Sequence, residues 1–380
     1  MVRPGIVVAV IATAAWPVAA EGGVTVSVSG PSEGHLGAYK DHEGHPTTRY
    51  EASLNTGATR YHFNHWVDVH PDHRPKVLPL EGMIGMTSPT GANWYGNGFL
   101  NIHLDGEQVG TVPVHAVREM ESGARGSVDF EWRRSEGTWR VRFLALPDDV
   151  RLFCSVRHFP AAPSVDWRLR LVCYPGRQTR DGHRMTTTAT RTVEQTSTVE
   201  LSPAEEWWLA ICDSVYDADH GRSDGGAAMI YAPGDVSAAE LAVTDYPVTV
   251  WLTPSGNEVR LIFWGSFFGS SNAEIVEEVR RTAQQHLEAL RATRFLHRAV
   301  FAEDWRERET EISRLLEALG EPSVPGQRAQ KLHGAIAEII ATLRERPGEV
   351  GPDDEPRLLD LLQRQEALLW DLRWEELLGG

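Results

Sequence analysis

The densest run of metal-ligating residue types is His62, His65, His70 and His73, interleaved with Asp68 and Asp72. Neutral imidazole nitrogens and carboxylates bind zinc, and the short gap inside each histidine pair would bring the pairs together across a turn. The spacing matches no named zinc signature, and a strand through this run would send His62 and His65 to opposite faces. A zinc site and a polar, hydrogen-bonded histidine-rich segment both stay open. A second crowd of carboxylates, Asp217, Asp219 and Asp224 around Gly221, has the oxygen-rich turn that calcium favours. Counted from Asp217, however, the position where an EF-hand needs a bidentate glutamate is Ala228, so a solvated acidic turn competes with a calcium site.

Aromatic residues offer a different chemistry. Trp94 and Tyr95 precede Gly96, Asn97 and Gly98, and a ring held in such a turn can stack on the apolar face of a pyranose. Trp66 and His65 join them as expected ligand contacts, and of the adjacent pair Trp207 and Trp208 in a strand one ring must turn outward. The competing reading places one ring of each pair in the core. Glu194, Glu200, Glu205 and Glu206 fall near predicted strand ends, where the separation of two carboxylates would decide a glycosidase mechanism. No Gly-x-Ser-x-Gly elbow, phosphate-binding Gly-Lys-Ser loop or His-Glu-x-x-His helix occurs, so nucleotide-driven work is not expected.

The elements that must position these residues read as strands from Val24 to about Phe263, in short runs of Val, Thr, Phe, Trp and Ile separated by Gly, Pro and Asp turns. In Arg140 to Leu146, Val141, Phe143 and Ala145 share one face while Arg140, Arg142 and Leu144 share the other. Pro147, Asp148 and Asp149 then turn the chain into Val150 to Val156, and Asp105-Gly106 marks a second hairpin. The Gly-, Pro- and His-rich segment from Gly30 to Asn97 reads as long loops over a few strands. At Ser271 the period changes: Ser271 and Glu274 form a capping box, and Ile275, Val279, Ala283, Leu287 and Leu290 follow at helical spacing. Further helices are expected over 305–319, 327–346 and 357–378, the last apolar enough to need a packing partner. The expected fold class is mainly β: a large antiparallel β-sandwich over 21–270, a helix within 271–300, and an α-helical hairpin or three-helix appendage over 301–380.

A net charge of -16 speaks against nucleic acid and anionic membranes as partners, since both require a basic surface. Arg3, the apolar run Ile6 to Trp16 and the small residues Val18, Ala19 and Ala20 read as a signal peptide cut after residue 20, giving an exported, periplasmic or extracellular protein with no further membrane span. Cys154, Cys173 and Cys212 each lie in an apolar run and read as small buried hydrophobes. If residues 151–158 and 165–173 form a hairpin around Ala161 and Ala162, Cys154 faces a residue near Leu169, several residues from Cys173, which disfavours a bridge.

The consecutive strand-like runs Trp139 to Leu146, Val150 to His158 and Val165 to Tyr174, with Pro-containing turns after Leu146 and Phe159, resemble those of the galactose-mutarotase-like supersandwiches of carbohydrate-active proteins. The resemblance rests on strand rhythm over about residues 24–265. It implies a twisted sandwich with a concave carbohydrate face; members with epimerase activity use a His and a Glu there, but no pair in this sequence aligns to them, so no catalytic residue carries over. Phe99 to Gly106 also resembles stretches of secreted bacterial proteins, a likeness that implies no activity. The leading expectation is therefore an exported protein that binds a glycan or polysaccharide on a sheet face. The alternatives are a carbohydrate-active hydrolase, lyase or epimerase, metal-assisted through zinc or calcium, and an assembly protein whose C-terminal helices dock a partner or a second copy.

Overall fold

The computed structural model describes residues 22–35, 46–68, 84–90, 93–94, 96, 98–109, 114–161, 165–175, 182–214, 225–264, 267, 269–301, 304–318, 324–346 and 349–379. The signal-peptide segment 1–20, His70, His73, Tyr95 and the acidic turn 217–224 lie outside the described residues.

The chain opens with β1 (Thr25–His35), β2 (Pro46–Asn55), β3 (Arg60–Asp68), β4 (Ile84–Ser88), β5 (Leu100–Leu104) and β6 (Glu107–Gln108). It continues through β7 (Ala116–Glu121), β8 (Gly126–Arg134), β9 (Gly137–Ala145), β10 (Arg151–Pro160), β11 (Trp167–Cys173), β12 (Arg184–Thr187) and β13 (Thr192–Glu194). The remaining strands are β14 (Ser197–Leu201), β15 (Trp208–Asp213), β16 (Ala227–Tyr231), β17 (Val236–Val243), β18 (Val248–Pro254) and β19 (Glu258–Trp264). They form two antiparallel sheets. The first runs β1-β2-β3-β4-β5-β11-β18-β17-β14 with β6 paired to β5; the second runs β13-β12-β15-β16-β19-β10-β9-β8-β7.

One core lies between the sheets, and strand alternation builds it. Leu169 and Leu171 of β11, Val250 and Leu252 of β18, and Leu100, Ile102 and Leu104 of β5 point inward to meet Phe130, Val141, Phe143 and Phe263 of the second sheet. A ring stack at its centre, Phe63 on Phe143 at 4.2 Å, ties the two sheets together. The second sheet is covered on its other face too. Helix α1 (Asn272–Ala292), started by the Ser271–Glu274 capping box, lays Ile275, Val279, Ala283, Leu287 and Leu290 on Trp208, Ala210, Ala228, Ile230 and Ile262. Each large aliphatic side chain so enclosed contributes about 1.5–3 kcal/mol. That double burial is why β15 and β16 read as unbroken apolar runs. Helices α2 (Asp304–Ala318), α3 (Val324–Glu345) and α4 (Asp354–Gly379) complete the appendage. Ile336, Ile340 and Leu343 of α3 pack on Leu358 and Leu361 of α4, with Phe159 of β10 in the same cluster.

The fold class is the expected one, with two local differences. Residues 151–158 and 165–173 do not form a hairpin: β10 pairs with β9 and β19 in the second sheet, whereas β11 crosses to the first and pairs with β5 and β18. The three cysteines are buried, and burial pushes the Cys154 and Cys173 thiols up. The segment from Gly30 to Asn97, expected as long loops over a few strands, holds the end of β1 and all of β2, β3 and β4, and β1 to β3 are the longest strands of the first sheet. His62, Trp66 and most of the charges sit on the outward phase of those strands while His65 takes the inward one, so residue type does not follow the alternation there. The Asp105-Gly106 turn is as expected, with φ of 49° and 84°.

Candidate ligand-binding face

Strand alternation in β3 divides the predicted site. Tyr61, Phe63, His65 and Val67 are buried, while His62 and Trp66 are only half-buried on the opposite face. His65 is fully enclosed and meets the Trp132 ring edge-on at 5.3 Å. His62 lies outside, its Nδ1 2.6 Å from Thr87 Oγ1 and its Nε2 3.9 Å from Glu51. Burial lowers the His62 pKa, and Glu51 opposes this. His62 and His65 therefore cannot share one metal ion, and among the described residues no group of three or more His, Cys, Asp or Glu converges on one point. Trp66 carries the Arg49 guanidinium 4.6 Å above its ring. Trp94 is a correction: it is 0% exposed, its indole Nε1 donates to the Trp264 carbonyl at 2.6 Å, and Phe263 meets it edge-on at 4.9 Å. A ring so enclosed offers no face to a sugar. Trp208 is likewise covered by α1, leaving Trp207 half-buried.

A polar and aromatic cluster that the sequence reading missed lies on the outer face of the first sheet, across β5, β11 and β18. The phase that sends Leu169 and Leu171 inward sends Arg168 and Arg170 outward, and on β18 it turns out Thr249, Trp251 and Thr253. Register then assembles the site: Arg170 pairs with both Trp251 and Asn101, and Arg168 pairs with His103. Arg168 lies 4.8 Å and Arg170 5.8 Å from the centre of the Trp251 ring, and the His103 imidazole meets that ring edge-on at 4.8 Å. Asn101 Nδ2 lies within hydrogen-bond distance of His103 Nε2, at 3.2 Å. Burial lowers the His103 pKa, a hydrogen bond with the Gly106 backbone opposes it, and Arg170 and Arg168 lower it further. Asn101 Oδ1 is buried without a hydrogen-bond partner. Every apolar helix contact in the packed clusters goes to the second sheet or to another helix, so no described helix covers this face. The available signal was an aromatic out of phase: in Val-Thr-Val-Trp-Leu-Thr, Trp251 occupies a position of the polar face.

Next to this cluster, a hollow of about 290 Å³ at the end of the sandwich is lined by His158, Asp166, Trp167, Thr253 and Asn257. Thr253 follows Trp251 by two residues on the same strand and so links face and hollow. A second cavity, of about 250 Å³, lies where the segment after α1 meets β9, β10 and β19. Its charges are largely used internally. Arg142 bonds both Asp129 oxygens at 2.6 Å and Glu355 at 2.7 Å, and Arg140 bonds Glu131 at 3.0 Å, so this cavity is a structural seam. Of the acids flagged near strand ends, Glu194, Glu200 and Glu205 are exposed, while Glu206 is 3% exposed. Burial opposes its ionisation, but hydrogen bonds from Thr190, Arg191, the Ser202 backbone and Thr188 bring its pKa down to about 2. A carboxylate held so firmly in the ionised form braces the turn and is unsuited to donating a proton.

No protein-family model matches the chain, and no curated protein matches it. Among solved structures it is similar to the GH36 alpha-galactosidase AgaB from Geobacillus stearothermophilus, with TM-score 0.33 and 10% identity over 57% of this chain and 40% of that one. It is also similar to the alpha-N-acetylgalactosaminidase NagBb from Bifidobacterium bifidum in its GalNAc complex, with TM-score 0.39 and 12% identity over 64% of this chain and 38% of that one. A Klebsiella pneumoniae protein provisionally named an aldose 1-epimerase gives TM-score 0.36 and 10% identity over 70% of this chain and 96% of that one. The chain thus spans about 40% of the length of the alpha-galactosidases it matches. These are distant resemblances between β-sandwich folds, and at such scores they bear on no residue of the Trp251 cluster.

Proposed function

We propose that this is an exported protein that binds a saccharide on the outer face of its first sheet, around Trp251. The observation that carries the reading is the cluster itself: an indole ring ringed by His103, Arg168 and Arg170, with a buried and unpartnered Asn101 oxygen beside it, on a face left open by the helices. Saccharides present an apolar ring face bordered by hydroxyls, so an amphipathic ring flanked by fixed donors and acceptors complements them. Trp66 and His62 lie on the same sheet face and extend the surface available to a longer glycan. Export rests on the charged, apolar and small-residue order of the first twenty residues. Binding of the full chain to a glycan array, lost in Trp251→Ala, is the expected outcome; a blank array would remove the reading.

A second reading, assembly with another copy of the chain, is favoured by one observation on α4. Trp370, Trp374 and Leu377, spaced along one helical stripe, are 53%, 57% and 72% exposed. Full-length protein that is dimeric in light scattering and monomeric as Trp370→Ala/Trp374→Ala would support this reading; a monomeric wild type would overturn it.

A further inference from the structure

The two arginines at Trp251 set a requirement on the ligand beyond its being a saccharide. In a chain with 53 acidic and 37 basic residues, guanidinium groups find carboxylates readily. Arg140, Arg142, Arg151, Arg184, Arg191 and Arg260 each have one. Arg168 and Arg170 have no carboxylate within ion-pair distance among the described residues. They follow each other at i and i+2 on one strand face, roughly 7 Å apart along β11, so their charges repel without a directly paired acid among the described residues. Glu240, the acid nearest in register, pairs with Trp251 from the far strand β17 and makes no ion pair with either. What holds the guanidiniums is the Trp251 ring, and a guanidinium lying over a ring spends its flat face while its N–H edge stays available. Two such edges on one open face form a fork suited to oxyanion groups, carboxylate or sulfate, each taken by paired N–H donors.

We propose that the saccharide bound at Trp251 is anionic, and that Arg168 and Arg170 read its oxyanion groups while Asn101 Oδ1 accepts from a neighbouring hydroxyl. This rests on the reading that the Trp251 face binds saccharide at all. Trp251 supplies the ring, Arg168 and Arg170 the charge selection, and the contact between His103 Nε2 and Asn101 Nδ2 positions the Asn101 amide.

The test is calorimetric titration of the full chain with a galacturonate oligomer, its fully methyl-esterified counterpart, a sulfated oligosaccharide and a neutral galactose oligomer. The acidic oligomer is expected to bind about tenfold more tightly than its ester, to weaken severalfold between low and high salt, and to lose that advantage in Arg168→Gln/Arg170→Gln. Preference for the sulfated over the carboxylated ligand would support the same site and identify which oxyanion it takes. Equal affinity for acid and ester would overturn the inference and leave the saccharide reading standing. Absence of binding to all four would overturn both. The acid-to-ester comparison on the wild-type chain decides the matter even if the double variant folds poorly.

Discussion

Trp94 and Trp251 show how one residue type takes opposite roles under strand geometry. Trp94 sits beside a glycine-rich turn and yet fills the core, because its bridge to Cys173 fixes it over Phe263 and its N–H is satisfied by a backbone carbonyl. Trp251 lies in a strand whose apolar partners face the other way, so its ring is left with polar neighbours. Trp251→Ala is accordingly expected to remove ligand binding while shifting the thermal midpoint little, measured by titration alongside thermal unfolding. Glu206 behaves oppositely. Its folded pKa of about 2 lies below the ordinary carboxylate value, so its stabilising effect is fully present above about pH 5 and is lost as pH falls toward 2. Glu206→Gln should cost about 1–3 kcal/mol at pH 7 and little at pH 2, read from urea unfolding at the two values. His286 gives a third residue-scale expectation. Burial, then Arg151, lowers its pKa to about 4, and Arg151 donates to its Nδ1 at 2.9 Å. Because the unfolded chain takes up this proton near pH 6.5 and the folded chain only near 4, stability should fall as pH drops through that window. His286→Gln should flatten that slope.

At the scale of elements, the alternation of Arg140 and Arg142 with Val141 and Phe143 was legible, but what covers the arginines was not. They are 5% and 4% exposed because α4 brings Glu355 to the sheet from more than two hundred residues away, and Asp129 and Glu131 of β8 complete the network. Burial works against ionisation of Glu355, and Arg142 and Arg140 hold its pKa below the usual range. Glu355→Ala leaves buried guanidinium charge uncompensated, so a loss of about 3–5 kcal/mol and faster proteolysis within 354–379 are expected in urea unfolding and limited digestion. Unchanged stability would mean that α4 docks by its apolar contacts alone. The helices were readable from the Ser271–Glu274 cap and the apolar period, since those signals are local. The destination of β11 was not, since a crossing between sheets leaves no mark on the strand that makes it. The site shared that fate: its residues come from β5, β11 and β18, far apart in the chain, and only register unites them.

Across the whole molecule, the two sheets differ in what lies over them. The second is enclosed by α1 and the appended helices, and its outward charges are consumed in docking. The first keeps an outer face on which Trp66, His62, Asn101, His103, Arg168, Arg170 and Trp251 stand. None of the described helices is long and apolar enough to cross a membrane. That asymmetry leaves the proposed recognition face on one side of the sandwich and the packed helices on the other. The most direct test is a glycan-array comparison of the full chain with Trp251→Ala, both checked for equal thermal midpoints. Selective binding by the wild type that disappears in the variant is the predicted result. Binding that survives the loss of Trp251, or a wild-type chain that binds no glycan, would contradict it.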